Sequence, residues 1–186
     1  MAIFLILNAL KIHNFYYFLR KNELYHRYVQ ELAKKLDCEI RLIPMVSHDF
    51  QRCYTIQEAV GPREWIGLIK KARWVVTDSF HCTVFSIIFQ KDFSVFRAFA
   101  NQDERSQNSR IDSLLKIAGL TDRVVGKETD VHINSISVSQ WADTQTAVNQ
   151  YANQSLQWLE HALKDIERKN KVEITAKKGN NHEDGV

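Results

Sequence analysis

The sequence is poor in cysteine, proline and glycine, and each shortage excludes a class of protein. Its 186 residues include three cysteines, two prolines and six glycines. Cys38, Cys53 and Cys82 are widely spaced and form no Cys-x-x-Cys pair, which argues against a disulfide framework and a zinc knuckle. So little proline and glycine excludes a collagen-like chain and disfavours a turn-rich β-sandwich. We therefore expect reduced thiols and a core of apolar side chains.

Charge and hydropathy exclude two further classes. The formal net charge is +3, with 45% apolar and 25% charged residues, which is ordinary globular usage and does not predict nucleic-acid binding. The apolar run at residues 1–10 ends at Lys11, far short of the roughly 20 residues that span a bilayer. It has no basic region and no small-residue cleavage site, so we expect a buried strand and a cytoplasmic protein without a membrane span.

The apolar pattern predicts alternating strands and helices, which is typical of an open parallel α/β sheet flanked by helices. An aromatic-rich connector is expected at residues 15–18 and a polar loop at residues 47–57. One domain would occupy residues 1–168, followed by a polar, disordered tail at residues 169–186. The predicted strands are residues 3–7, 39–44, 74–77 and 93–96, and the predicted helices are residues 24–36, 62–72, 80–89, 111–118 and 146–168.

Several helix ends have recognisable signals. Asn22 is a candidate N-cap, Pro62 suits a first helical position, and Gly119 suits a helix end. The helix that follows Asp78 or Ser79 has apolar residues on nearly all its sides, so we expect it to be buried between layers. Its apolar residues are Val84, Phe85, Ile87, Ile88 and Phe89.

The first candidate site is the segment T-D-S-F-H-C-T at residues 77–83, directly after the third predicted strand. Ligands of open α/β sheets bind beyond the carboxyl ends of the strands, where free N–H groups of helix N-termini attract anions. A neutral imidazole at His81 would exchange protons with a hydroxyl group. The alternative is that Asp78 and Ser79 only cap the helix and that His81 is a structural histidine.

A second candidate is the helix start G-P-R-E at residues 61–64. Arg63 is suited to binding an anion through two hydrogen bonds, and Glu64 is suited to acting as a general base or binding a sugar hydroxyl. The alternative is a well-formed helix start with a solvent-facing charge pair.

A third candidate is the loop after the fourth predicted strand. Its arginines, Arg97, Arg105 and Arg110, would together clamp a phosphate and a carboxylate. Asp103 and Glu104 lie among them, so a solvated charged loop remains the alternative.

Familiar catalytic motifs do not occur in the sequence. It contains no G-x-G-x-x-G, P-loop, H-E-x-x-H or G-x-S-x-G pattern, which argues against dinucleotide oxidoreductases, P-loop NTPases, zinc proteases and α/β-hydrolases. Cys82 has no evident orienting base, and we expect it to be a small buried residue rather than a nucleophile.

Four blocks of sequence occur in a familiar order and spacing. They are V-G-P-R-E-W-I-G-L-I-K-K-A at residues 60–72, W-V-V-T-D-S-F-H-C-T-V-F-S-I-I-F-Q-K at residues 74–91, N-S-R-I-D-S-L-L at residues 108–115, and G-L-T-D-R at residues 119–123. Over roughly residues 3–125 the chain resembles the polysaccharide pyruvyl transferase family. The resemblance implies a Rossmann-like domain that is similar to one half of a two-domain GT-B fold, and the matching blocks belong to the C-terminal half of family members.

The resemblance also implies a reaction and roles for residues. Family members transfer a pyruvyl group from phosphoenolpyruvate to sugar hydroxyls of surface polysaccharides, and no cofactor or metal is expected. His81 occupies the position of the family's functional histidine, with Glu64 as a second catalytic candidate. The candidate substrate-binding residues are Asp78, Ser79, Arg63, Arg110 and Asn108.

Two departures from the family pattern weaken these roles. Many members have an arginine where this chain has Ser79, and a glycine where it has Cys82. Members are about twice as long, so a partner domain or chain would supply the other half of the site. The alternatives are a glycosyltransferase-like half-domain that binds a nucleotide-sugar, or a non-catalytic domain that acts with a partner chain.

Overall fold

The computed structural model describes most of the chain, and the fold below refers to that part. The described residues are 13–20, 22–45, 49, 54–57, 59–97, 108–126, 131 and 133–180, with side chains up to residue 169. The strand predicted at residues 3–7 lies outside them.

Five parallel strands form one sheet. They are β1 (His13–Tyr17), β2 (Glu39–Leu42), β3 (Thr55–Ile56), β4 (Ala72–Thr77) and β5 (Asp92–Val95). Their spatial order is β3-β2-β1-β4-β5. The chain adds strands first on one side of β1 and then on the other, so the strand order reverses between β1 and β4. In open α/β sheets such a reversal is where ligands bind.

Helices cover both faces of this sheet. They are α1 (Glu23–Leu36), α2 (Pro62–Lys71), α3 (Phe80–Ile88), α4 (Asn108–Ala118) and α5 (Val138–Asn180), with a 3₁₀ turn at Thr121–Arg123. Tyr16 of β1 packs in an apolar cluster with Tyr28 and Leu32 of α1. Tyr17 points to the opposite face, because side chains alternate along a strand, and its ring contacts Trp65 of α2. α3 packs against α2 and α4 on that second face.

The predicted helix signals are confirmed at three positions. The side chain of Asn22 accepts the N–H of Leu24 at 2.9 Å and caps α1. Pro62 is the first residue of α2, and Gly119, just after α4, has a φ of 68°, which is unfavourable for other residues.

Two predicted connecting segments are wrong. Residues 15–17 belong to the central strand β1, and Phe15 and Tyr16 are buried on its two faces. Aromatic residues pack well on a pleated surface, and this preference outweighed the appearance of a connector. Thr55–Ile56 forms the short edge strand β3 inside the predicted polar loop.

The prediction that α3 is buried on nearly all sides is also wrong. Its buried face consists of Cys82, Thr83, Ser86 and Ile87, while Ile88 is 56% exposed. The buried hydroxyls are satisfied within the helix, because Thr83 Oγ1 donates to Ser79 O and Ser86 Oγ donates to Cys82 O. Small side chains therefore face the sheet, and several apolar side chains do not.

The chain divides into two compact units, residues 1–144 and 145–186. The first residues of α5 belong to the first unit, where Thr144 Oγ1 donates to Ala118 O at 2.8 Å. The division falls before residue 168, the predicted end of the domain. α5 also continues to Asn180, into the predicted tail. No helix in the described part of the chain is both long enough and apolar enough to cross a membrane.

Candidate functional site

The first turns of α2, α3 and α4 bring most of the predicted site residues to one region of the first unit. α3 follows the end of β4 after two residues, and α2 ends where β4 begins, so both helices start at the carboxyl edge of the sheet. α4 packs against α3. These first turns hold Arg63, Glu64, His81, Asn108 and Arg110.

A chain of hydroxyl groups determines how the backbone enters α3. Thr77 Oγ1 donates to Tyr17 O at 2.5 Å and accepts the N–H of Ser79 at 3.0 Å. Ser79 is the N-cap of α3, and its Oγ accepts the N–H of Cys82 at 3.5 Å. The end of β4 is thereby tied to the end of β1 across the point where the strand order reverses. Ser79 is buried and its hydroxyl acts as a cap, while its role in binding substrate stays a prediction.

Asp78 also connects the end of β4 to the end of β1. Its Oδ1 accepts the N–H of Leu19 at 2.7 Å, which joins the loop after β1 to the loop after β4. Its Oδ2 is buried and has no hydrogen-bond partner among the residues that the structure describes. Burial raises the pKa of Asp78 to about 6, against the lowering effect of backbone hydrogen bonds and of Arg20. The observed contacts of Asp78 are with the protein's own backbone, and binding of substrate by its side chain stays a prediction.

His81 lies in the first turn of α3 and is exposed to solvent. Its ring packs edge-on against the ring of Phe80, with centroids 5.7 Å apart and an interplanar angle of 78°. Within the part of the chain that the structure describes, no hydrogen bond restrains its imidazole. An exposed imidazole in this position can accept a proton from, or donate one to, a bound molecule.

Arg110 of α4 lies against the same aromatic ring. Its guanidinium carbon is 4.3 Å from the centroid of Phe80, which is cation–π distance. Phe80, the residue before His81, thus holds the Arg110 guanidinium beside the first turn of α3. A positive charge at a helix N-terminus creates a strong attraction for an anion.

Arg63 and Glu64 are both exposed at the start of α2. The carboxylate of Glu64 folds back over the N-cap Gly61, where a Cβ would lie 2.8 Å from Glu64 Oε2. Glycine leaves room for this carboxylate to approach the helix start. The two charged groups are accessible, as their predicted roles require, and those roles stay predictions.

The predicted arginine clamp is not assembled in the described residues. Arg97 forms an ion pair with Asp112 of α4 at 3.0 Å, whereas Arg110 stacks on Phe80. Arg105 lies outside the described residues. Asn108, the first residue of α4, is buried. Of the two described arginines in this group, Arg110 therefore contacts the first turn of α3.

Cys82 is a free, buried thiol, as predicted. Burial raises its pKa to about 12, and the nearby side chain of Thr77 only partly offsets that effect. A thiol with such a pKa is not ionised at neutral pH and is a poor nucleophile.

Two residues of the predicted T-D-S-F-H-C-T segment have contacts that the sequence analysis does not assign. Phe80 contacts Arg110, and Thr77 joins β1, β4 and α3 through one hydroxyl. An aromatic residue directly before the candidate histidine is a visible signal for Phe80. No local signal predicts the contact of Thr77 with Tyr17, because the two residues are 60 positions apart.

The strand order and the clustered helix starts define an α/β domain of the Rossmann type with an anion-attracting edge. A sequence profile described as polysaccharide pyruvyl transferase matches residues 4–97, just over half of the chain. The chain belongs to the polysaccharide pyruvyl transferase family. The match includes Arg63, Glu64, Asp78, Ser79 and His81, whereas the resemblance at residues 108–115 and 119–123 lies beyond it.

No curated protein matches the sequence. Among solved structures, the chain is similar to the UDP-GlcNAc 2-epimerase of Methanocaldococcus jannaschii, whose crystal structure holds UDP-GlcNAc and UDP. The sequence identity is 15% and the TM-score is 0.40, and the alignment covers 81% of this chain and 48% of the epimerase. The chain thus spans about half the length of that protein, and its assignment as half of a GT-B fold stays a prediction.

Proposed function

We propose that the chain takes part in transferring a pyruvyl group from phosphoenolpyruvate to sugar hydroxyls of a surface polysaccharide in the cytoplasm. Membership of the pyruvyl transferase family supports this class of reaction. The observation that supports the site most directly is the stack of Arg110 on Phe80, beside the exposed His81 at the start of α3. A cation, a helix N-terminus and an imidazole therefore lie next to one another, which supports the proposed roles in anion binding and proton transfer.

The proposed product is a pyruvate ketal. Two sugar oxygens form bonds to C2 of the enolpyruvyl group, and the bond between C2 and the phosphate oxygen breaks. One hydroxyl proton ends on the methylene carbon, which becomes a methyl group, and the other leaves with the phosphate. The reaction therefore requires an anion site for the donor and a group that moves protons.

The residues divide between these two requirements. Arg110 and Arg63 are cations that suit the carboxylate and phosphate of the donor, and the free N–H groups at the starts of α2 and α3 add to the attraction. His81 would remove a hydroxyl proton and return one, with Glu64 as a second base. Asp78, Ser79 and Asn108 would position the substrate from the edge of the site.

A partner domain or chain would complete the site. Arg63, Glu64, His81 and Arg110 are all exposed in the described structure, and ketal formation from an enol phosphate needs a site that excludes water. A second surface closing over the carboxyl edge of the sheet would supply that exclusion and bind the saccharide acceptor. We therefore expect donor binding by this chain, and turnover when the partner is present.

The test is thermal unfolding with and without phosphoenolpyruvate. The donor is expected to raise the melting temperature, because it binds the folded chain only. Arg110→Gln should abolish most of this increase, whereas Lys116→Gln, which removes an exposed charge from the same helix, should retain it. With the partner present, His81→Ala should abolish phosphate release and leave the thermal shift in place.

Two results would contradict the proposal. One is the lack of any melting-temperature increase with phosphoenolpyruvate at matched ionic strength. The other is an increase with a nucleotide-sugar alone, which would favour a glycosyltransferase-like half-domain.

A further inference from the structure

A cavity of about 530 Å³ lies on the α1 side of the sheet, at the β5 edge. The family resemblance gives no role to the residues around it. Val125 N–H donates to Val95 O at 2.9 Å, so the chain after the 3₁₀ turn runs beside β5 and forms one wall. Its polar lining includes Tyr28, Trp74, Ser94, Asp122, Arg123 and Asn134.

Three buried polar groups meet at this cavity. Ser94 Oγ accepts the indole N–H of Trp74 at 2.9 Å and forms a second hydrogen bond with the hydroxyl of Tyr28 at 2.8 Å. The three side chains are between 2% and 4% exposed. Together they hold three polar hydrogens, and within the part of the chain that the structure describes they make two hydrogen bonds, both with one another. One hydroxyl hydrogen, on Ser94 or Tyr28, is therefore left to donate to an acceptor in the cavity.

Arg123 adds a positive charge to the same cavity. Its Nη1 donates to the carbonyl of Asn134 at 2.7 Å, and its Nε lies 3.2 Å from Asp122 Oδ2. Within the described residues, Nη2 has no acceptor. Burial raises the pKa of the Tyr28 hydroxyl, and the positive charge of Arg123 partly opposes that effect. The guanidinium is therefore close enough to the hydroxyl groups of Tyr28 and Ser94 to interact with them electrostatically.

The balance of charge in the cavity favours an anion. Asp122 also lines it, but its side chain is 58% exposed and its charge is screened by water. The side chain of Arg123 is only 8% exposed, so its charge acts through a less polar medium. An oxyanion that accepts hydrogen bonds from Nη2 and from the spare hydroxyl would satisfy both donors.

We propose that this cavity binds a small molecule bearing a carboxylate or phosphate, held by Arg123 and the Ser94–Tyr28 hydroxyl pair. The site is separate from the one at His81, because Trp74 and Ser94 point to the α1 side whereas α3 lies on the other face. The volume lies in the range of small-molecule pockets and exceeds what an inorganic ion needs. The ligand is therefore an organic acid or a phosphorylated metabolite rather than a bare ion.

The test uses inorganic phosphate and acetate as probes of the two anion chemistries. The ¹⁵N-labelled protein has four indole N–H signals, one for each tryptophan. The signal of Trp74 is expected to shift saturably with at least one probe, because its acceptor Ser94 Oγ rearranges when the spare hydroxyl binds. Sodium chloride at equal ionic strength should not move it. A Trp74 signal that stays fixed with both probes would overturn the proposal.

Two substitutions distinguish this site from general anion attraction. Arg123→Gln should weaken the Trp74 response at least tenfold. In His81→Ala the response should be unchanged, which separates this result from that of the proposed function. Should Arg123→Gln fail to fold, the wild-type titration still decides the matter. A folded Arg123→Gln protein with the wild-type response would contradict the proposal.

Discussion

At the scale of single residues, Asp78 shows how a site residue also stabilises the fold. Its carboxylate joins two loops through the N–H of Leu19, yet its second oxygen has no donor within the described residues. Ionisation of a buried carboxyl is unfavourable, so the folded state retains the proton to higher pH. Besides Arg20, the groups that face Asp78 are Tyr17, Tyr25 and Cys82, and burial raises the pKa of each of these three, away from the range of pH 4 to 7.

This leads to a prediction about the pH dependence of stability. The folded pKa is about 6, above the ordinary value of 3.8, so the stabilisation is complete below about pH 4 and is lost as the pH rises through 6. The loss is at most about 3 kcal/mol. In Asp78→Asn, the amide oxygen still accepts the N–H of Leu19 but nothing ionises. We expect urea unfolding at pH 4 to 7 to show wild-type stability falling relative to the variant. A constant difference across that range would contradict the prediction.

The sequence identifies Asp78 as a candidate site residue but does not predict its contact with Leu19. The T-D-S-F-H-C-T segment is recognisable because it follows a strand and begins a helix, which is local information. The contact between Asp78 and Leu19 links positions 59 residues apart. Such a contact depends on the order of the strands, which periodicity in one stretch of sequence does not reveal.

At the scale of elements, the packing of α4 on α3 is what brings Arg110 to the site. The two helices start from different strand ends, and the contact between Arg110 and Phe80 joins their first turns. Phe80 is only partly buried, so its ring serves this contact more than the core. Contact with the ring at 4.3 Å limits the conformations of the guanidinium, and less conformational entropy is then lost when an anion binds beside it.

Replacement of Phe80 tests this function of the element contact. Phe80→Leu keeps an apolar side chain but removes the ring face. We expect the melting temperature without ligand to change little and the increase caused by phosphoenolpyruvate to fall severalfold. Phe80→Tyr retains the ring and is the matched control. Equal ligand responses in Phe80→Leu and wild type would show that the stack does not position Arg110.

Helices were easier to predict than strands, for a physical reason. The spacing of Tyr28, Leu32 and Leu36, with Asn22 as the cap, defines α1 without reference to any other element. β1 has no such internal pattern, because both of its faces are buried and aromatic residues lie on each. Its assignment depends on its neighbours, β2 and β4, and these pairings are not visible in residues 13–17 themselves.

At the scale of the whole molecule, the sheet order was the least predictable feature and the most important for the site. The alternation of strands and helices predicts an open parallel sheet, which the structure confirms. Placing β1 beside β4 requires knowledge of β1, which the sequence pattern obscured. Because β1 and β4 are adjacent, Thr77 can form a hydrogen bond with Tyr17, and Asp78 can form one with Leu19.

A series of rings joins the sheet to two helices across the second face of the first unit. Tyr17 of β1 contacts Trp65 of α2 edge-on at 5.6 Å, and Trp65 contacts Phe85 of α3 edge-on at 5.5 Å. The indole N–H of Trp65 is buried and has no acceptor within the described residues. The contribution of Trp65 to stability therefore comes from its ring and not from a hydrogen bond.

This distinction predicts different costs for two substitutions. Trp65→Ala removes both ring contacts and should lower the free energy of unfolding by about 3 kcal/mol, because a large side chain leaves a cavity between sheet and helices. Trp65→Phe keeps a ring but buries less apolar area than the indole, which is unfavourable, and it removes a buried donor without an acceptor, which is favourable. These two effects offset each other, so the cost should stay below about 1 kcal/mol. Chemical unfolding of the two variants measures both values. Equal losses would mean that the indole N–H does have an acceptor, and the joining of α2 and α3 to β1 would then depend on a polar contact rather than on the rings.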